Sequence, residues 1–214
     1  MSFCPFDESY YERGIQAGVS LYTNYRWIPE LTIPMAHHIA QKLTIHEGQS
    51  VLDFGCAKGY VVKAFRLLGI EAYGVDVSDY AVSQAPQDTR DFVRLVGYDD
   101  PIPLLNAKAS RYSWIIAKDV LEHISYEALP GLLKRLHAAC QDMFVIVPLG
   151  DGKRFVVPAY EMDKTHIIRE ELGWWKARLH EAGFRNVRPS YEVRGIKENW
   201  SEWPQGNGFL AAYA

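Results

Sequence analysis

The sequence predicts a doubly wound α/β fold: a mostly parallel, seven-stranded sheet with helices on both faces and an antiparallel last strand. Three observations predict it. From residue 50 onward, short apolar strand-like runs alternate with amphipathic helical stretches, a pattern that builds parallel sheets buried on both sides. The first strand-like run leads straight into a glycine-bearing turn, the place where such sheets hold ligands. The last two runs, 187–193 and 208–213, are joined by a loop with no helix in it, so their pairing is antiparallel.

Composition agrees with a single globular unit. The chain has 214 residues, 48% hydrophobic and 23% charged, which suits one α/β domain with an added segment. A chain of this size buries about 70% of its unfolded surface and needs no metal or disulfide staple. The net charge of -3 gives no general attraction to a polyanion, which sets DNA aside and disfavours RNA. Arg185, Arg188, Arg194 and Lys197 gather locally and read as a solvated strand edge. Three cysteines without a CxxC pair fit a reduced, cytoplasmic protein. The first residues carry acids and no apolar h-region, and no apolar run reaches the roughly 20 residues of a membrane span. A soluble protein is expected.

The elements follow in order. Residues 1–45 read as an aromatic arm and a helix covering the cleft, ahead of a ligand-binding domain at 46–214. The arm holds Tyr10, Tyr11, Tyr22, Tyr25 and Trp27, too aromatic for a disordered tail. Its helix is expected at 34–43, with Pro34 in first position. Residues 50–54 form the first strand, and 58–68 a helix with Val61, Val62, Phe65 and Leu68 on one face. A second strand at 72–77 is followed by Ser78 as the N-cap of a short helix. Strands at 92–96 and 112–117 precede a helix carrying Leu129, Leu132, Leu133 and Leu136, which starts or kinks at Pro130. Strand 143–147 stops at Pro148, and a helix at 165–182 ends with Gly183 at its C′ position.

Function is carried by VLDFGCAKGY, residues 51–60. Gly55 and Gly59 let backbone approach a ligand and pack closely on the next helix. Asp76 ends the next strand, 17 residues beyond Gly59, and a carboxylate there accepts hydrogen bonds from two ribose hydroxyls. Dinucleotide loops use G-x-G-x-x-G and leave a helix N-terminus open for pyrophosphate. Here Ala57 replaces the middle glycine and Asp53 precedes the turn. An acid at that place repels pyrophosphate and suits a cation. S-adenosylmethionine (SAM) lacks phosphate and carries an ammonium and a sulfonium, so the electrostatics favour it over NAD(P). The bland alternative is a tight strand–helix turn with a satisfied Asp53.

VLDFGCAKGY resembles the first motif of the class I SAM-dependent methyltransferases, and AYGVDVS their second strand with its ribose-binding acid. WIIAKDVLEHI is similar to their fourth strand and its exit. DKTHIIRE with the following EAGF resembles the region after strand five in the small-molecule branch, which includes the ubiquinone-biosynthesis O-methyltransferases. The resemblance implies a Rossmann-like methyltransferase fold, with SAM as cofactor and S-adenosylhomocysteine as product. It implies that Gly55, Cys56, Ala57 and Gly59 lie against the methionine part, with Asp53 supporting the ammonium. Asp76 then takes the ribose, Val77 packs on adenine, and Asp99 or Asp100 meets the adenine amino group. Lys118 and Asp119 face the methionine end. Ala57 fits if its φ is negative.

For a hydroxyl acceptor a base is needed, and His166 is the candidate, read as lying at a helix start where the dipole keeps it neutral. The alternative is a histidine that caps or packs the helix. His123 is the rival, with a role in loop structure as its other reading. His37 and His38 point about 100° apart on a helix, and no metal set is apparent. The cluster from Tyr22 to Trp27 either closes over the ligands or packs as core. Trp174 and Trp175 read as core, and Lys153 and Arg154 as a solvated loop. No Asn/Asp-Pro-Pro-aromatic turn for amino-methylating a DNA base and no well-placed nucleophilic cysteine occur. The expected activity is methyl transfer to a small-molecule hydroxyl. The alternatives are N-methylation, a protein or RNA acceptor, or a SAM-binding module without turnover.

Overall fold

Strands β1 (Ser50–Phe54), β2 (Glu71–Asp76), β3 (Val93–Leu95), β4 (Tyr112–Lys118), β5 (Cys140–Pro148), β6 (Asn186–Ser190) and β7 (Asn207–Tyr213) form one sheet, ordered β3-β2-β1-β4-β5-β7-β6. The computed structural model describes residues 4–106 and 109–214, so the first three residues of the expected arm lie outside the described residues. β1 pairs in parallel with both β2 and β4, while β7 runs antiparallel between β5 and β6. The strand order therefore reverses between β1 and β4, and a crevice opens at their carboxyl ends.

Seven helices accompany the sheet among the described residues: α1 (Glu8–Glu12), α2 (Gly14–Ala17), α3 (Pro29–Leu43), α4 (Tyr60–Leu67), α5 (Asp79–Ser83), α6 (Leu129–Ala139) and α7 (Leu172–Ala182). Successive strand side chains point to opposite faces, and this splits the core in two. Leu52, Ile115 and Val145 meet Leu133 and Leu136 of α6 and Trp175 and Leu179 of α7. Val51, Ile116 and Phe144 meet Ile39 of α3 and Val62 and Phe65 of α4. Ser78 caps α5 through the Ala81 amide, and Gly183 ends α7 in the left-handed region, as the sequence predicts.

Two helix boundaries differ from expectation. α3 begins at Pro29, not Pro34. Pro29 takes the first position, and the Ile28 carbonyl accepts from the Leu31 and Thr32 amides and the Thr32 hydroxyl. That turn is secured upstream of Pro34, which costs the helix one hydrogen bond and crowds the carbonyl four residues before it. The helix expected at 165–182 starts only at Leu172. The amides of Ile167 and Ile168 donate to the Glu122 carbonyl, and that of Thr165 to Asp163 Oδ1. Two of these donors are committed to the loop after β4 and the third to Asp163, so no helix forms before Leu172.

Candidate active site

β1 ends in a turn built from left-handed residues: Gly55 (φ 76°), Ala57 (φ 49°) and Gly59 (φ 76°). A Cβ at Gly55 would lie 2.4 Å from Val120 Cγ2, so only glycine lets the turn rest against the exit of β4. At Gly59 it would lie 2.8 Å from Val93 Cγ2, so that glycine seats α4 rather than facing the crevice. Ala57 does not have the expected negative φ. Its amide donates to Asp76 Oδ2 at 2.7 Å, and the Ser78 amide donates to Oδ1 at 2.8 Å. The acid at the end of β2 thus anchors the strained turn.

A first cavity of about 130 Å³ lies over these strand ends. Asp53, Gly55, Cys56, Ala57, Asp76, Val77, Asp100, Lys118, Asp119 and Tyr22 are on its wall; Gly59 and Asp99 are not. Asp100 is fixed by the Gly97 amide at 2.6 Å, while Asp99 is exposed. Phe6, Tyr10, Tyr11, Tyr22 and Tyr25 complete the wall from the N-terminal segment. A second cavity of about 450 Å³ shares Tyr10, Tyr22, Tyr25, Lys118, Asp119 and His123 with the first and extends to Tyr160, His166 and Lys197. Trp175 is fully buried core, and Lys153 and Arg154 are exposed beside a shallow surface depression.

The charges on these walls are not equivalent. Asp53 is 4% exposed and accepts no side-chain hydrogen bond among the described residues. Burial raises its pKa to about 7, against the pull of Lys118 and with a smaller push from Asp76. Asp119 binds two cations, Lys118 at 2.5 Å and Lys197. Burial pushes Asp119 up, but the two ammoniums prevail and hold it below the usual carboxylate range. Lys197 is therefore not part of a solvated edge. Its ammonium also donates to Tyr160 Oη at 2.9 Å and Asn207 Oδ1 at 3.0 Å, whereas Arg185, Arg188 and Arg194 are exposed.

The loops after β4 and β5 bring His123 and His166 together, ring centroids 4.7 Å apart. His166 sits in an irregular segment just after a turn, not at a helix start, and burial rather than a helix dipole lowers its pKa. His123 is lowered to about 4 by burial and by His166. His166 Nδ1 is 2.8 Å from the Tyr160 carbonyl. A carbonyl only accepts, so the proton is on Nδ1 and Nε2 carries a lone pair. Thr165 Oγ1 donates to Asp163 Oδ1 at 2.6 Å and so accepts from His123 Nδ1 at 2.7 Å. Tyr10 Oη donates to the other oxygen of Asp163 at 2.8 Å. Glu122 beside them is fully buried, and burial followed by Asp119 drives its pKa well up. Sequence reasoning missed Glu122, Tyr160, the tie from Tyr10 to Asp163 and the inward turn of Lys197. Glu122 adjoins His123 in LEH, but nothing in the pattern shows it to be buried.

Comparison with known proteins is consistent in kind. A family model described as a methyltransferase domain matches residues 30–190. No curated protein matches the chain. A SAM-dependent methyltransferase from Archaeoglobus fulgidus is 16% identical, with a TM-score of 0.63 over 84% of this chain and 92% of that one. A Haloferax volcanii complex between the Trm112 methyltransferase activator and its methyltransferase gives 14%, 0.67, 87% and 91%. The mitomycin 7-O-methyltransferase MmcR gives 14% and 0.58, over 86% of this chain and 54% of its own.

Proposed function

Since the chain belongs to the methyltransferase-domain family and is a class I SAM-dependent methyltransferase, we propose that its acceptor is a hydroxyl of a small molecule seated in the second cavity. The residues of the first cavity fit SAM. Asp53, a buried carboxylate without a hydrogen-bond partner among the described residues, suits an ammonium and would repel a pyrophosphate. Each Asp76 oxygen accepts one backbone amide and retains a lone pair for a ribose hydroxyl. Val77, Val96 and Ile102 supply apolar wall for the adenine. Bound there, SAM supplies an electrophilic methyl whose carbon–sulfur bond pair stays on sulfur as the acceptor oxygen forms the new bond.

The observation that carries the hydroxyl reading is the unprotonated Nε2 of His166 on the wall of the second cavity. It takes up the hydroxyl proton, and its pinned Nδ1 keeps the tautomer fixed. His123, which lines both cavities, is the second candidate for that task. Tyr10, Tyr22 and Tyr25 exclude water from the boundary between the cavities. A macromolecular acceptor finds less support, because the Lys118 and Lys197 ammoniums are engaged by Asp119, which leaves exposed Arg26 as the cation on this wall without a carboxylate partner among the described residues. The structural likeness to an enzyme that methylates a small-molecule oxygen is in keeping with this reading.

Incubation with methyl-labelled SAM and fractionated cell extract tests it. Label is expected in low-mass, alkali-stable ether products; label confined to protein or RNA would sink the proposal. A second expectation concerns pH. Asp53 must be ionised to hold an ammonium, and its pKa stands at about 7. SAM affinity should therefore fall as pH drops through that value, by about tenfold between pH 8 and pH 6. Calorimetry across that range checks it, and a flat profile would place the ammonium elsewhere.

A further inference from the structure

Three side chains at the inner end of the second cavity present lone pairs to one another. Glu122 is fully buried, and neither carboxylate oxygen has a hydrogen-bond partner among the described residues. His166 Nε2, with its lone pair, lies 3.9 Å from Glu122 Oε1. His123 gives its Nδ1 proton to Thr165, whose own proton goes to Asp163, so its Nε2 is a lone-pair donor too. One donor atom from each of the three lies within 4.8 Å of the others. An unpaired carboxylate is costly to bury, and what this group of atoms lacks is a cation.

We propose that Glu122, His123 and His166 bind one divalent transition-metal ion, with an open coordination position toward the second cavity. Two imidazoles and one carboxylate suit Zn²⁺ or Mn²⁺, and Mg²⁺ poorly. Bonds of about 2.0–2.2 Å separate neighbouring donors by roughly 3–4 Å, so modest side-chain rotation closes the set. The outer partners that orient ligating histidines are already present: the Tyr160 carbonyl behind His166, and Thr165 with Asp163 behind His123. No ligand set stood out in the sequence because the residues come from two loops far apart in the chain.

The inference deepens the hydroxyl reading. One nitrogen cannot both ligate and accept a proton. With an ion bound, His166 would serve as a ligand instead, and the metal would supply the acidification of the acceptor hydroxyl that a base otherwise provides. The metal claim itself does not depend on which acceptor is used.

The test is calorimetry on the full chain after dialysis against a chelator, titrated with Zn²⁺, Mn²⁺ or Mg²⁺, with SAM titrated in parallel. One equivalent of Zn²⁺ or Mn²⁺ should bind, and Mg²⁺ far more weakly. Glu122→Gln and His166→Gln should each weaken binding by at least ~100-fold, beyond the loss typical of outer partners. Both variants should keep their SAM affinity, since neither residue lines the first cavity, and that result also reports folding. Absence of metal binding in a protein that still takes up SAM overturns the proposal and leaves the methyltransferase assignment standing. Equal metal binding by wild type and both variants overturns it as well, because the ion would then sit elsewhere.

Discussion

Replacing His166 by glutamine is expected to lower kcat by about 10²–10⁴-fold, the range for loss of a positioned proton acceptor, with SAM affinity unchanged. Glutamine retains a group able to donate to the Tyr160 carbonyl, which His166 Nδ1 now occupies, so the fold around it should survive. It offers no basic nitrogen toward the acceptor. The same loss follows if Nε2 holds a metal ion, so this measurement asks whether the position is catalytic, and metal titration asks how. Single-turnover methyl transfer is the appropriate readout, because product release does not mask it. A fall smaller than about tenfold would reduce His166 to packing against Phe155 and Tyr160, whose rings it touches.

The second large effect is expected at Asp76. Asp76→Ala should weaken SAM binding by about 1.5–3 kcal/mol, the scale for hydrogen bonds to a charged group. The carboxylate has two tasks. It faces the first cavity, and it holds the amides of Ala57 and Ser78. Ala57 is held in the left-handed region, where a residue with a Cβ costs roughly 1–2 kcal/mol; without the carboxylate that turn should relax. Affinity and loop order should therefore fall together, and calorimetry with amide exchange at Ala57 reads both. Unchanged affinity would mean that the ribose lies elsewhere.

Much of the fold was legible because its signals are local. Alternating strand and helix periods gave the parallel sheet, and the helix-free link between the last strands gave the antiparallel end. The cofactor side was legible for the same reason. Asp53, Gly55 and Asp76 sit at strand ends, where position in the fold fixes what they face. The acceptor side was less legible. THIIRE has no helix breaker and so reads as a helix start at His166, yet the amides of Ile167 and Ile168 are captured by the Glu122 carbonyl, on a loop remote in sequence. Lys197 looked like surface until the topology placed Asp119 beside it. Pro34 reads locally as a beginning, yet it lies inside the helix, where the roughly 3 kcal/mol cost of an interior proline is offset by the packing of Met35, Ala36, Ile39 and Leu43. In each case a long-range contact outweighed a local preference.

The hydrogen bonds from Tyr10 to Asp163, on to Thr165 and then to His123 tie the N-terminal segment to an imidazole across the domain. That segment is consequently not a removable cover. A protein trimmed to residues 30–190, the span shared with its relatives, would lose more than one wall. It would also lose the tether that steadies the ring, together with Lys197 and the strand carrying its partner Asn207. The span that the family model matches is thus shorter than the span whose contacts build this site.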